Sequence, residues 1–326
     1  MSIPRPEHPE PQFEREDWRN LNGTWTVCFD PGKSGVDRGL AQSTGFERDI
    51  VVPFCVESPL SGIGHTDFIE CLWYHRRIDV PKDWSGRRVI LHFGGVDHLT
   101  ELYLDGRQVG RHWGGNAPFQ FDLTSFVEAG HSHHLVLHVR DELRSMSQPA
   151  GKQCPYFKSR GCLYTRVTGI WQTVWMEAVA KAGLATCHLI PDVDSRRLIL
   201  VPTFHAVERG HRFHVTAYAD GIPVAVIDAS ANNGVPCALH FQDPRLWSPA
   251  HPFLYDLLLE VRDAEGTIID RVRSYAGLRK IHVEGNRLYL NNEPLYQRLV
   301  LDQGYYPDGV WTAPNDEALK RDIEIG

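Results

Sequence analysis

The stretch Arg88-Val89-Ile90-Leu91-His92-Phe93-Gly94-Gly95 sets the texture of the chain. Val89, Leu91 and Phe93 alternate with Arg88, Ile90 and His92, the period of two that marks a half-buried strand. Gly94-Gly95 reads as a strand end and not a phosphate loop, because no lysine and no helix follow it. Outward from here the pattern repeats. Leu102-Tyr103-Leu104 runs into Asp105-Gly106, where a turn needing positive φ suits glycine and makes a hairpin. Phe119, Phe121 and Leu123 alternate, as do Leu135, Leu137 and Val139, and Val174-Trp175-Met176-Glu177 closes the block. With no strong helix-period segment, residues 13–180 read as a jelly-roll β-sandwich, preceded by a proline-rich extended arm at 1–12.

A second block, 181–276, predicts strands at Arg197–Phe204, Arg212–Ala219, Val224–Ile227, Tyr255–Val261 and Thr267–Tyr275. Turns every 8–12 residues are the pattern of an immunoglobulin-like β-sandwich. Residues 277–326 differ in texture. A hairpin (Arg287–Leu290, turn Asn291-Asn292, Leu295–Leu301) precedes a Gly/Tyr/Pro-rich loop and a helix start, with Asn315 as N-cap and Asp316 and Glu317 suiting the positive helix end. This reads as the first βα unit of a larger domain cut short. The fold class expected is therefore mostly β: jelly-roll β-sandwich, immunoglobulin-like β-sandwich, then one βα unit.

Composition narrows the function. The 326 residues carry 34 Lys+Arg against 41 Asp+Glu, a net charge of −7, with 42% hydrophobic and 23% charged residues. Such a chain builds cores, and its negative balance argues against nucleic acid as a partner. No apolar run nears the roughly 18 residues of a membrane span. The N-terminus shows no apolar signal segment. Seven scattered cysteines without a C-x-x-C pair read as reduced thiols, so a cytoplasmic location is expected.

The chain resembles the N-terminal part of family 2 glycoside hydrolases, the group of β-galactosidases, β-glucuronidases and β-mannosidases. Leu21-Asn22-Gly23-Thr24-Trp25, Val52-Pro53-Phe54, Trp73-Tyr74-His75-Arg76, Asp105-Gly106 and Gly114-Gly115 resemble family strands and loops in the expected order. Thr168-Gly169-Ile170-Trp171-Gln172-Thr173-Val174-Trp175 is similar to the family's final jelly-roll strand. Asp243-Pro244-Arg245-Leu246-Trp247-Ser248-Pro249 resembles its immunoglobulin-like domain, and Gly277-Leu278-Arg279-Lys280 its approach to the barrel.

The resemblance implies that residues 277–326 are the first βα unit of a truncated (β/α)8 barrel, and that the chemistry is confined to such a barrel, where a retaining glycosidase needs two carboxyl groups about 5–5.5 Å apart. The family's acid/base glutamate follows an asparagine. The one Asn-Glu pair here is Asn292-Glu293, in a hairpin turn, so no catalytic residue is assigned and the chain alone is expected to be inactive. The resemblance does imply substrate contacts: Arg298, Asp302, Gln303 and Tyr305 where the first barrel strand ends, a pocket wall in such barrels, and Tyr164 and Arg166 in the loop Gly161–Thr168. Leu299 stands where the family commonly has glycine, and the family's histidine shortly downstream is absent, so the choice of sugar stays open.

Some β-galactosidases place a metal-binding aspartate in that loop. With no acid between Cys154 and Thr168, neither metal nor cofactor is expected. His131, His133 and His134 read as an exposed loop after Ala129-Gly130. Trp73, Trp171 and Trp175 read as core, Trp113 less clearly so. The partner expected is a β-glycoside, and the β-domains are candidate surfaces for self-association. A stand-alone carbohydrate-binding or interaction module, without catalysis, is the alternative reading.

Overall fold

The computed structural model describes residues 3–326. It is mostly β, in several sheets, and divides into two compact units. The first unit comprises residues up to Pro9, Trp18–Ala178 and Val300–Gly326; the second, Glu10–Asp17 and Val179–Leu299.

In the first unit a six-stranded antiparallel sheet runs in the order Arg48–Val52, Gly23–Phe29, Cys71–Asp79, Ser132–Arg140, Leu99–Leu104, Arg107–Trp113. A four-stranded sheet holds Trp18–Asn20, Val174–Val179, Arg88–Phe93 and Phe119–Asp122. A short ladder pairs Gly169–Ile170 with Val96–Asp97. The core contains Trp25, Tyr74, Leu91, Phe93, Leu102, Leu137 and Met176, large side chains each worth about 1.5–3 kcal/mol when removed from water. Arg88–Phe93 departs from simple alternation, because Ile90 and His92 are buried as well. His92 stacks on Trp175 at 4.7 Å and its Nε2 meets Glu177 at 3.0 Å, which gives the polar ring a partner on the second face.

The second unit pairs a three-stranded sheet (Leu184–Asp192, Arg197–Phe204, Cys237–His240) with a four-stranded one (Ile222–Ser230, Arg212–Ala219, Tyr255–Arg262, Ile268–Ala276). Phe213, Val215, Leu257, Leu259 and Val272 fill its core. A small meander, Ile281–Glu284, Arg287–Leu290 and Glu293–Pro294, follows.

Three expectations need correcting. The start of the first sandwich at residue 13 does not hold for Glu14 and Arg15. The buried Arg15 guanidinium clasps Asp270 through Nε and a terminal nitrogen, both at 2.9 Å, and Glu14 bridges to Arg273 in an antiparallel pair. A guanidinium removed from water needs such a carboxylate, and it lies in the second unit. Next, Leu295–Leu301 forms no strand: a strand's N–H and C=O groups need ladder partners, and the pairing ends where the Leu295 N–H donates to the Leu288 carbonyl at 2.8 Å. Tyr296 and Leu301 are 87% and 85% exposed. Last, the histidine cluster is not simply an exposed loop. Ser132–Arg140 is a strand, so His131 stays outside while His133 turns inward, its Nδ1 2.7 Å from Asp105.

The helix forms as expected over Asp316–Ile325, with Asn315 Oδ1 accepting from the Ala318 N–H at 2.9 Å. The arm is tied down: Asn20 and Asn22 donate to the Arg5 and Pro4 carbonyls at 2.9 and 3.0 Å.

Candidate functional site

Residues 141–168 link the long strand Ser132–Arg140 to Gly169–Ile170, and they are pinned from below by three buried carboxyl groups. Thr168 is the central clasp. Its N–H donates to Glu57 Oε2 and its hydroxyl to Asp141 Oδ2, each at 3.0 Å. Gln153 donates its amide to Asp97 Oδ2 at 2.6 Å and accepts from the Val167 N–H at 2.8 Å. Gln148 donates to Asp141 Oδ1 at 2.7 Å.

Glu57, Asp97 and Asp141 also face one another electrostatically. Burial raises Glu57 to about 7, with the Asp141 charge adding to the rise. Asp97 is pushed up chiefly by burial and then by Asp141 and Glu57. Asp141 is raised by burial, against the hydrogen bonds from Gln148 and Thr168. Like charges out of water favour the protonated forms. Glu57, Asp97 and Asp141 are each at most 3% exposed, and through these hydrogen bonds they fasten the loop.

Above them sits an aromatic group. Tyr164 stacks on Tyr305 with centroids 4.2 Å apart and rings 24° from parallel. Trp311 stands edge-on to Tyr305 and to Trp171, at 6.1 and 5.0 Å. Buried Cys55, Val167 and Val310 pack beneath. Polar contacts fix the segment: Thr312 Oγ1 donates to the Trp171 carbonyl at 2.5 Å, Ser58 Oγ to the Asp308 carbonyl at 2.6 Å, and Trp171 Nε1 to the Gly115 carbonyl at 2.7 Å. Half-buried phenols and indoles offer flat apolar faces with polar tips, the surface a pyranose needs.

Of the residues expected from sequence to meet substrate, the structure brings Tyr164 and Tyr305 together. Asp302 is exposed and caps its own turn, accepting from the Gly304 N–H at 2.8 Å, and Gln303 beside it is half-buried. Arg298 is exposed and belongs to the second unit. Arg166 is only 2% exposed. Its guanidinium lies 3.9 Å from the Phe68 ring centre and donates to the Thr66 carbonyl, contacts that position the loop. Glu293 is exposed in the meander, and no grouping of His, Cys, Asp or Glu suited to a metal ion occurs among the described residues.

Two family profiles match the chain. The one described as glycosyl hydrolases family 2, sugar binding domain, covers residues 18–149; the other, glycosyl hydrolases family 2, covers 211–279. The chain belongs to glycoside hydrolase family 2. This family 2 chain is 23% identical over 294 residues to a β-glucuronidase of Paenibacillus borealis, covering 85% of this chain and 48% of that protein. It is 24% identical over 263 residues to a β-galactosidase of Thermoanaerobacter pseudethanolicus, covering 78% and 34%. The fold matches a solved β-glucuronidase of Ruminococcus gnavus in complex with D-glucuronic acid, with TM-score 0.80 and 20% identity over 99% of this chain and 56% of that one. The family 2 chain thus spans half or less of the curated relatives named here and about half of the solved one.

Sequence reasoning missed the carboxyl triad. Glu57, Asp97 and Asp141 are about 40 residues apart and share no periodic pattern; only sheet pairing unites them. The available hint was an Asp at the end of a run of buried strand residues, where an acid needs a donor.

Proposed function

We propose that this family 2 chain carries the sugar-engaging β-domains of a protein that hydrolyses β-galactoside- or β-glucuronide-like bonds, and that the chain by itself does not turn over substrate. In this reading the first unit's two sheets are the jelly-roll, the second unit's are the immunoglobulin-like sandwich, and residues 277–326 begin the barrel. The observation that carries it is the Tyr164–Tyr305 stack, seated on a loop fixed by three buried acids. It is a preorganised aromatic surface in a chain of glycoside hydrolase family 2. Pre-setting such groups avoids ordering costs on binding.

The test is incubation of the purified chain with p-nitrophenyl β-D-glucuronide and β-D-galactoside, alongside ligand-observed NMR with the methyl glycosides. Contact without p-nitrophenol release is expected, with the contact at this surface weakened by Tyr305→Ala. Release that disappears in Glu293→Gln would overturn the reading.

A further inference from the structure

The first unit holds a second cleft, away from the tyrosine stack in its lining and built on the edge of the six-stranded sheet. Arg140 pairs with Leu99, and Leu99 pairs with Trp113, across three neighbouring strands. Directly paired residues share a face, so Arg140 and Trp113 flank the buried Leu99 on one side, roughly 9–10 Å apart at two strand spacings. His98, Glu142 and Ser147 complete a cavity of about 200 Å³, room for one pyranose ring and small for the roughly 300–1,000 Å³ of drug-sized pockets.

Charge selects the ligand. Glu142 is taken up by Lys33, at 2.6 Å. His98 is held below its ordinary value by burial and by neighbouring His112, so at neutral pH it is an uncharged donor and acceptor. Arg140 is exposed and makes no side-chain salt bridge among the described residues, leaving one uncompensated guanidinium, a fork that fits a carboxylate. Trp113 is 54% exposed although Arg111 lies 4.6 Å from its ring centre, a flat apolar face held in place. Gln148 makes the wall rigid, donating to Asp141 and accepting from the Glu142 N–H at 3.0 Å.

We propose that this cleft binds a hexuronate, the sugar ring against Trp113 and its carboxylate on Arg140. A neutral hexose would fill the same space but leave the guanidinium unused. The proposal stands whether or not the tyrosine stack meets substrate.

Isothermal titration of the chain with methyl β-D-glucuronide and methyl β-D-glucoside tests it. The glucuronide is expected to bind about tenfold tighter, as one charge-assisted pair allows. Trp113→Ala should abolish the tighter glucuronide binding, leaving only what the tyrosine stack contributes. Arg140→Gln should lower the glucuronide to the glucoside's affinity, and Ile222→Ala, at an exposed position of the second unit, should leave both unchanged. Both cleft residues are exposed, and circular dichroism verifies that the variants fold. Equal affinities in the unaltered chain, no measurable binding, or an undiminished preference in Arg140→Gln would overturn the proposal. So would loss of glucuronide binding in Tyr164→Ala alone, which would place the acidic sugar at the tyrosine stack instead.

Discussion

Thr168 binds Glu57 through its N–H and Asp141 through its hydroxyl, each at 3.0 Å, so one residue ties two buried acids to the end of the loop. The arrangement is most comfortable with protons on the acids. The folded chain keeps protons on Glu57, Asp97 and Asp141 that the unfolded chain releases above about pH 4.5, so stability falls as pH rises. The window runs from the ordinary carboxylate range up through about 7, the value for Glu57. At 1.36 kcal/mol per pKa unit, Glu57 alone accounts for roughly 3 kcal/mol. Thermal melts of the first unit should therefore fall by roughly 6–12 °C between pH 5 and pH 8. A flat profile would remove the triad from the account.

Asp97→Asn separates charge from geometry. An asparagine carbonyl can still accept from Gln153, which reaches Asp97 at 2.6 Å, while the carboxylate charge is gone. At pH 8 the variant should be more stable than the parent by about 1 kcal/mol or more, and its melting temperature should vary less with pH. Urea titrations at pH 5 and pH 8 read both effects.

Arg15→Met should destabilise the second unit strongly. Asp270 would keep only the Leu184 N–H, which it accepts at 2.8 Å, and an unpaired buried carboxylate costs about 3–5 kcal/mol. Combining Arg15→Met with Asp270→Leu should recover much of the loss, because the uncompensated charge is gone. A double variant no better than the single would mean that packing of the arginine stem, and not its charge, dominates.

These two cases show where sequence reading reached and where it stopped. Strand positions such as Arg287–Leu290 and the Asn315 cap follow from local alternation and side-chain chemistry, and both stand in the structure. The Arg15–Asp270 clasp joins residues 255 positions apart, and the triad depends on which strands pair. Neither pairing can be read from local sequence alone. Leu295–Leu301 failed for a related reason: the stretch is rich in apolar residues, but a strand exists only where a neighbour continues the ladder, and here it stops after the Leu295 N–H. Tyr164 and Tyr305 were legible one by one, from residue type and resemblance, while their contact was not.

The tail should not behave uniformly. Residues 296–301 lack a ladder and expose Leu299, Val300 and Leu301, so their amides should exchange within seconds. Residues 305–312 are held differently. Tyr306 and Val310 exchange backbone hydrogen bonds at 2.7 and 3.1 Å, the Thr312 hydroxyl donates to Trp171, and Tyr305 stacks on Tyr164. Hydrogen exchange should find the Tyr306 and Val310 amides protected well beyond those at 296–301. Tyr164→Ala removes the stack, worth about 0.5–1.5 kcal/mol beyond burial, and should speed exchange at Tyr306 and Val310 about two- to tenfold while leaving 296–301 unchanged. Equal protection along the whole tail, or no response to Tyr164→Ala, would show that the stack does not hold this segment.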